Sequence, residues 1–276
     1  AIRKQAYRAG RRMIWPAVAR DYMQTFERAC QDRCTRPRAV FAAKTLAEKQ
    51  MELPTLNLGH LRRLTDDVGI LQHAIATVPN YTEGYTTDDN ARALILTVYL
   101  EELGKEHLAQ TSGLATRYLA FLWHAHNPHN GHFRNFMAYD RRWLEDRGSP
   151  DSHARALWGL GAVLGRSRQE GLRRAASRLF EMALPGVRDF PDLRPAAFAL
   201  IALHDYLPHF SGDRAAQEVR TLMAERLFAA YQRCASTEWP WFEDKLTYAN
   251  AAFPHALLLC GRSMKRSDWV EASLKA

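Results

Sequence analysis

No stretch of the chain approaches the roughly 18 to 20 uninterrupted apolar residues that a membrane-spanning helix requires, so no span is expected. Cysteine is scarce. Cys30, Cys34, Cys234 and Cys260 are too few for a disulfide-stapled scaffold and lack the paired spacing of a zinc site, so free thiols are expected. There is no Gly-rich phosphate loop, no Gly-x-Gly-x-x-Gly after a strand and no Gly-x-Ser-x-Gly elbow, which argues against a Rossmann or P-loop nucleotide site. His124, His126, His129 and His132 follow no ligand pattern, and neither a metal nor a cofactor is expected. The first residues carry charge where a signal peptide needs an apolar core. Together with a start that lacks Met and falls inside a helical pattern, this predicts a segment of a longer, cytoplasmic polypeptide.

What is present is enough apolar material for a substantial core: 47% hydrophobic residues in a chain of 276. The formal charge of +8 is unevenly placed. Residues 1–50 hold 12 basic and 4 acidic side chains, which leaves 26 of each for the remainder, so the main body is neutral. A basic arm can serve nucleic acid or an anionic surface, but a solvated helical face explains it more simply. No nucleic-acid partner is expected.

Ile14, Val18, Tyr22 and Phe26 recur every four positions and predict an amphipathic helix over 11–30, with Trp15 and Pro16 at its start. The period is then lost, and 31–55 reads as a linker. Beyond it, helical patterns of 15 to 20 residues follow one another and strand-type alternation is scarce, so 56–276 is expected to be an all-α domain. A weak internal repeat refines this. Ala93, Ala156, Ala199 and Ala256 occupy equivalent places in short echoed segments, spaced by 63, 43 and 57 residues, each long enough for a helical hairpin. More charged helices are expected between them, at about 106–125, 168–184 and 213–233. The pattern suits inner and outer helices of a layered ring and equally a plain helical solenoid. Extra residues collect before each echoed helix, in 81–90, 127–152, 186–195 and 236–250. If those helices run parallel, the four insertions share one rim, which is where a site is expected.

The first insertion brings Tyr85 and the adjacent carboxylates Asp88 and Asp89, followed by Asn90 and Arg92. The carboxylates can orient a substrate hydroxyl, or one can be held protonated by the other's charge; equally, Thr87 or Asp88 caps the helix and Asp89 favours its dipole. The second mixes aromatic faces, carboxylates and arginines: Trp143, Asp151, His153 and Arg155. That composition suits a sugar, although Asp151 also reads as an N-cap. The fourth is densest, with Trp239, Trp241, Glu243, Asp244, Tyr248 and Asn250. It reads either as a site or as an aromatic plug with solvated acids. Glycoside chemistry needs two carboxyl groups about 5 to 5.5 Å apart for retention or about 6.5 to 9.5 Å for inversion, and Asp89 against Glu243 or Asp244 are candidates. Asp66 and Asp67 are expected to cap an apolar helix that ends near Val78 and Pro79.

Four stretches, Leu64–Ala74, Gly84–Leu94, Asp151–Gly161 and Trp241–Ala251, together resemble the helical domain that often follows group 1 glycosyltransferases of bacteria. That domain is similar to the six-hairpin (α/α) toroid glycosidases and sugar epimerases. Residues Tyr7–Arg28 resemble the last helix of a GT-B glycosyltransferase. The resemblance implies a toroid attached to the tail of a transferase whose nucleotide-sugar site lies upstream. It also implies that about four inner helices stand where the family has six, so the ring is expected to be incomplete.

The expectation is a carbohydrate-active domain of a glycosyltransferase polypeptide. Its catalytic candidates are Asp88, Asp89, Asp151, Glu243 and Asp244. Tyr85, Trp143, Trp239 and Trp241 would stack on the sugar, and Asn90, Arg92, His153, Arg155, Tyr248 and Asn250 would bind it. The rival is a non-catalytic glycan-binding or docking module, in which the carboxylates need no tuned pKa. The expected partners are a sugar or oligosaccharide and the upstream transferase domain.

Overall fold

A computed structural model describes residues 2–10, 14–35 and 56–276. The chain divides into two compact units, Ala1–Leu56 and Asn57–Ala276.

The first unit contains α1 (Ile2–Gly10) and α2 (Trp15–Thr35). The amide N–H groups of Ala17 and Val18 both reach back to the Ile14 carbonyl and open α2. The helix starts after the predicted residue 11 and runs through 31–35, which were expected to be linker; nothing between Cys30 and Thr35 in the sequence supplies a Gly or Pro to stop it. The rest of the expected linker, 36–55, lies outside the described residues.

The second unit is helical, and its short ribbons position loops. After α3 (Gly59–Leu64) the chain does not form the helix expected beyond Asp66. Asp66 Oδ1 accepts from the N–H groups of Val68 and Gly69 at 2.8 and 3.2 Å, closing a side-chain turn in place of a cap. The strands β1 (Ala74–Ile75) and β2 (Val78–Pro79) pair as a small hairpin, and β3 (Tyr85–Thr86) leads into α4 (Thr87–Leu103). Ile75 and Val78, which a buried helix would have placed inside, are exposed.

From α4 the chain alternates between two layers. Helices α4, α6 (Pro150–Arg166), α8 (Leu193–Tyr206) and α10 (Ala252–Ser263) lie side by side in that order. Helices α5 (Lys105–Ala125), α7 (Glu170–Ala183), α9 (Arg214–Cys234) and α11 (Ser267–Lys275) each return against the helix before them. The first layer is parallel: Gly159 meets Ala91 across one interface, and Gly161 and Gly165 meet Ala202 and Asp205 across the next. The glycines are what permit this approach, since a Cβ on Gly161 would lie 2.6 Å from the Ala202 carbonyl oxygen. The core is built from alanines and leucines of the echoed segments, with Tyr118, Phe180, Phe198 and Phe253 filling the larger spaces.

Between α5 and α6 the strands β4 (His126–Asn127) and β5 (His132–Phe133) form a hairpin, and β6 (Phe136–Met137) pairs with β3 in antiparallel register, Tyr85 opposite Met137. Two caps differ from expectation. Thr86, not Thr87 or Asp88, caps α4 by accepting from the Asp89 N–H, and Ser149, not Asp151, caps α6 ahead of Pro150. Because hydroxyls take the capping duty, Asp88 and Asp151 stand inside the first turn with their carboxylates directed elsewhere.

Candidate functional site

Parallel packing brings the starts of α4, α6 and α8 and the segment before α10 to one rim, where they enclose a cleft of about 720 Å³. Asp88 and Arg92 come from α4, Asp151 and Arg155 from α6, Arg194 from α8, and Glu243 and Tyr248 from the preceding segment of α10. A smaller groove of about 360 Å³ runs along α7 past Glu170, Arg173 and Phe210, and no candidate from the sequence reaches it.

Charges alternate across the cleft. Arg92 pairs with Asp89 at 2.8 Å and with Asp88 at 3.1 Å. Asp88 faces Arg155 Nε at 3.2 Å, and the same Nε donates to Asp151 Oδ2 at 2.9 Å. The other oxygen of Asp151 accepts from the Tyr248 hydroxyl at 3.0 Å. Beyond it Arg194 binds Glu243 in two-pronged fashion, at 3.2 and 2.8 Å, donates to the Tyr248 carbonyl at 2.6 Å, and lies 4.8 Å from the ring centres of both Tyr248 and Phe253.

Asp88 is the outlier. Its Oδ1 is buried within ion-pair distance of two guanidinium Nε atoms, yet sits off the axis of both N–H bonds and accepts no hydrogen bond. Burial raises the pKa of this carboxyl, and the negative charges of Asp89 and Asp151 add to the effect, while Arg155 and Arg92 oppose it. The Tyr248 hydroxyl is also pushed up, by burial first and then by the Asp151 charge.

The other candidates lie elsewhere. Tyr85 is in the core, its hydroxyl donating to Asp66 and its ring packed near Phe121 and Tyr139. Asn90 is fully buried and ties the 65–71 loop to α4: its Oδ1 accepts from Ile70 N–H and its Nδ2 donates to the carbonyl of Thr86. Asp89 completes a reciprocal cap, accepting from the Thr86 hydroxyl at 2.6 Å. Trp143 donates its indole N–H to His124 and packs edge-on against Phe121, away from the cleft-lining residues.

His153 is a core histidine. Its Nδ1 accepts from the Phe133 N–H and its Nε2 faces the Ala183 carbonyl at 2.9 Å, which requires the neutral Nε2–H tautomer. Burial pushes its pKa down to about 3, with smaller contributions from His132, His126 and Arg147. Trp241 packs against Phe242 and Phe253, and Trp239 donates to the Glu243 carbonyl, so both belong to the folding of their segment. Asp244 is exposed and away from the cleft-lining residues. Asn250 accepts from Arg194 and from the Thr247 N–H, holding the cleft wall from behind. Among the described residues no group of three or more His, Cys, Asp or Glu side chains is placed to hold a metal ion.

The sequence reading missed two charged residues of the cleft, Asp192 and, with more bonds to its wall, Arg194. A signal for Arg194 existed: it stands five positions before Ala199, as Asp88 stands before Ala93 and Asp151 before Ala156. The chain matches no protein-family model, and no curated protein matches it.

Proposed function

We propose that the rim cleft binds a sugar or oligosaccharide and that Asp88 is its acid–base group, in a helical domain of the (α/α) toroid kind attached to a bacterial group 1 glycosyltransferase. One observation carries the reading: the insertions before successive parallel helices converge on a single cleft in which carboxylates and guanidinium groups alternate beside the ring of Tyr248. A sugar hydroxyl is both donor and acceptor, and its CH faces pack on rings, so such a lining meets all of its groups. Four carboxylates, Asp88, Asp151, Asp192 and Glu243, against three arginines disfavour a polyanion such as nucleic acid. The two alternating layers support the hairpin order of a toroid.

Burial raises the pKa of Asp88, the direction of shift that a group exchanging a proton near neutral pH needs, and in its ionised form its Oδ2, which also accepts from Arg92 at 3.3 Å, can take a hydrogen bond from a sugar hydroxyl. Two-carboxylate hydrolysis fits less well. Asp88 and Asp151 approach the same Nε of Arg155, whose guanidinium fills the space a scissile bond would need between them. Glu243 is committed to Arg194. These pairings favour the second reading, a glycan-binding module without turnover.

Saturation-transfer NMR with a panel of methyl glycosides and disaccharides, followed by a turnover assay on the sugars that bind, separates the two. Binding with turnover that vanishes in Asp88→Asn, binding being retained, supports the acid–base role. Binding without turnover leaves the module reading. A wild-type protein that binds no sugar overturns both.

A further inference from the structure

We infer that the cleft takes a neutral sugar through two adjacent free hydroxyls, with the Nη atoms of Arg155 as paired donors and Oδ2 of Asp88, which Arg92 reaches only at 3.3 Å, as acceptor; this rests on the carbohydrate reading above. Arg155 is only 9% exposed. Its Nε is fixed on Asp151, and its guanidinium lies 4.2 Å over the ring of Phe198, so the plane of the fork is set before any ligand arrives. Neither Nη forms a hydrogen bond with any described residue, while the side chain lines the cleft. A buried guanidinium with two idle donors lacks part of its hydrogen bonding until two acceptor oxygens dock on it.

A carboxylate and a vicinal diol both offer two such oxygens. Charge and proton inventory separate them. An acidic sugar would add a negative charge to four carboxylates already facing three arginines, and Arg155 itself is shared by two of those carboxylates. A diol adds no charge, and each hydroxyl still has a proton to give to Asp88. A ligand carboxylate has none, and would face Asp88 acceptor to acceptor.

The test is calorimetric titration of the whole chain with the methyl glycosides of glucose, mannose and galactose, their uronic-acid counterparts, and monodeoxy forms of the tightest neutral ligand. The expected result is that a neutral glycoside binds more tightly than its uronate and that removing either hydroxyl of one adjacent pair weakens binding about tenfold or more, as a lost charge-assisted hydrogen bond does. In Arg155→Lys, a point charge without the fork, that deoxygenation penalty should disappear. A general structural weakening would lower all affinities together and leave the penalty in place, so a penalty that persists in Arg155→Lys overturns the inference. Tighter binding of the uronate overturns it while leaving the carbohydrate reading intact. Should Arg155→Lys fail to fold, the wild-type ranking of neutral over uronate ligands decides alone. No binding by any member of the panel overturns the inference together with the reading beneath it.

Discussion

Replacing Arg194 by Met should release one wall of the cleft. Residues 236–251 contain no helix or strand, and besides the single hydrogen bond from the Tyr248 hydroxyl to Asp151 two larger features hold them to the helical layers. At one end Phe242 is fully buried, with Tyr231 and Phe253 around it. At the other, the Arg194 guanidinium alone binds the Glu243 carboxylate, the Tyr248 carbonyl and Asn250, between two rings. Met retains much of the apolar stem and removes every donor. Deleting one partner of a buried ion pair costs about 3 to 5 kcal/mol, because the remaining charge stays desolvated. Glu243 retains 24% of its side-chain exposure and can rehydrate by moving outward, which places the cost nearer 2 to 3 kcal/mol on the same scale.

That escape route has its own signature. The cheaper response is for 243–250 to lift away while Phe242 stays seated, so local opening should exceed the loss of global stability. Hydrogen exchange across 236–251 should accelerate strongly in Arg194→Met, with a smaller fall in the urea midpoint. Glu243→Gln alone should cost about 1 kcal/mol, as an ordinary weakened hydrogen bond does, and the double variant should recover part of the Arg194→Met loss. Unchanged exchange over 236–251 together with an unchanged midpoint in Arg194→Met would refute the claim that one guanidinium holds this wall.

Three further outcomes follow from the packing. Gly161→Ala should destabilise by about 1 to 2 kcal/mol, the overpacking against Ala202 exceeding the helix-propensity gain, whereas Gly113→Ala, with nothing within 4 Å of the new Cβ, should stabilise by about 0.5 to 1 kcal/mol; urea unfolding reads both. Tyr85→Phe strands the Asp66 carboxylate in a partly buried loop and should cost about 1.5 to 3 kcal/mol, and a loss below 0.5 kcal/mol by the same measurement would contradict that bond. His153 has a folded pKa pushed down to about 3 against an unfolded value near 6.5, so the unfolded chain takes the proton first. Above pH 6.5 both states are neutral and nothing is lost; between 6.5 and about 3 this one group costs about 1.4 kcal/mol per pH unit as the pH falls, and His153→Gln should reduce the stability slope there by one proton.

Much of the fold was legible because its signals are local. The returning helices expected at 106–125, 168–184 and 213–233 are α5, α7 and α9 to within about two residues of their ends, since amphipathic period and Gly or Pro breaks survive in any tertiary setting. The 65–80 stretch misled for the opposite reason. Its Thr-Asp-Asp step is a capping pattern only if a helix follows, and here the Asp66 side chain closes a turn that sends the chain into a hairpin. Within the site, residue type alone did not distinguish Asp88 from Asp89 or Arg155 from His153. Each residue of offset on a helix turns a side chain by about 100°, so one step takes it from the cleft to the cap at Asp89 and two steps take it to the core at His153. Tyr85, Asn90 and His153 carry attractive chemistry in the sequence, and all three spend it on hydrogen bonds that hold loops to helices.

The repeat register resolves that ambiguity. Counting back five positions from the equivalent alanines gives Asp88, Asp151, Arg194 and Ala251, and three of these four line the cleft. Counting back one gives Arg92, Arg155, Phe198 and His255, and the two central members of this row meet directly, Arg155 lying over Phe198. Parallel helices in register present equivalent residues at equal depth, so each row becomes a line of side chains crossing the layer. Where the five-back row ends in Ala251, the missing charge is supplied from outside the repeat by Glu243, reaching Arg194 from the preceding segment. The irregular segment is therefore long for a reason that the regular helices create: it fills the one position in the row that the fourth repeat leaves without a charged side chain, and in doing so closes the cleft.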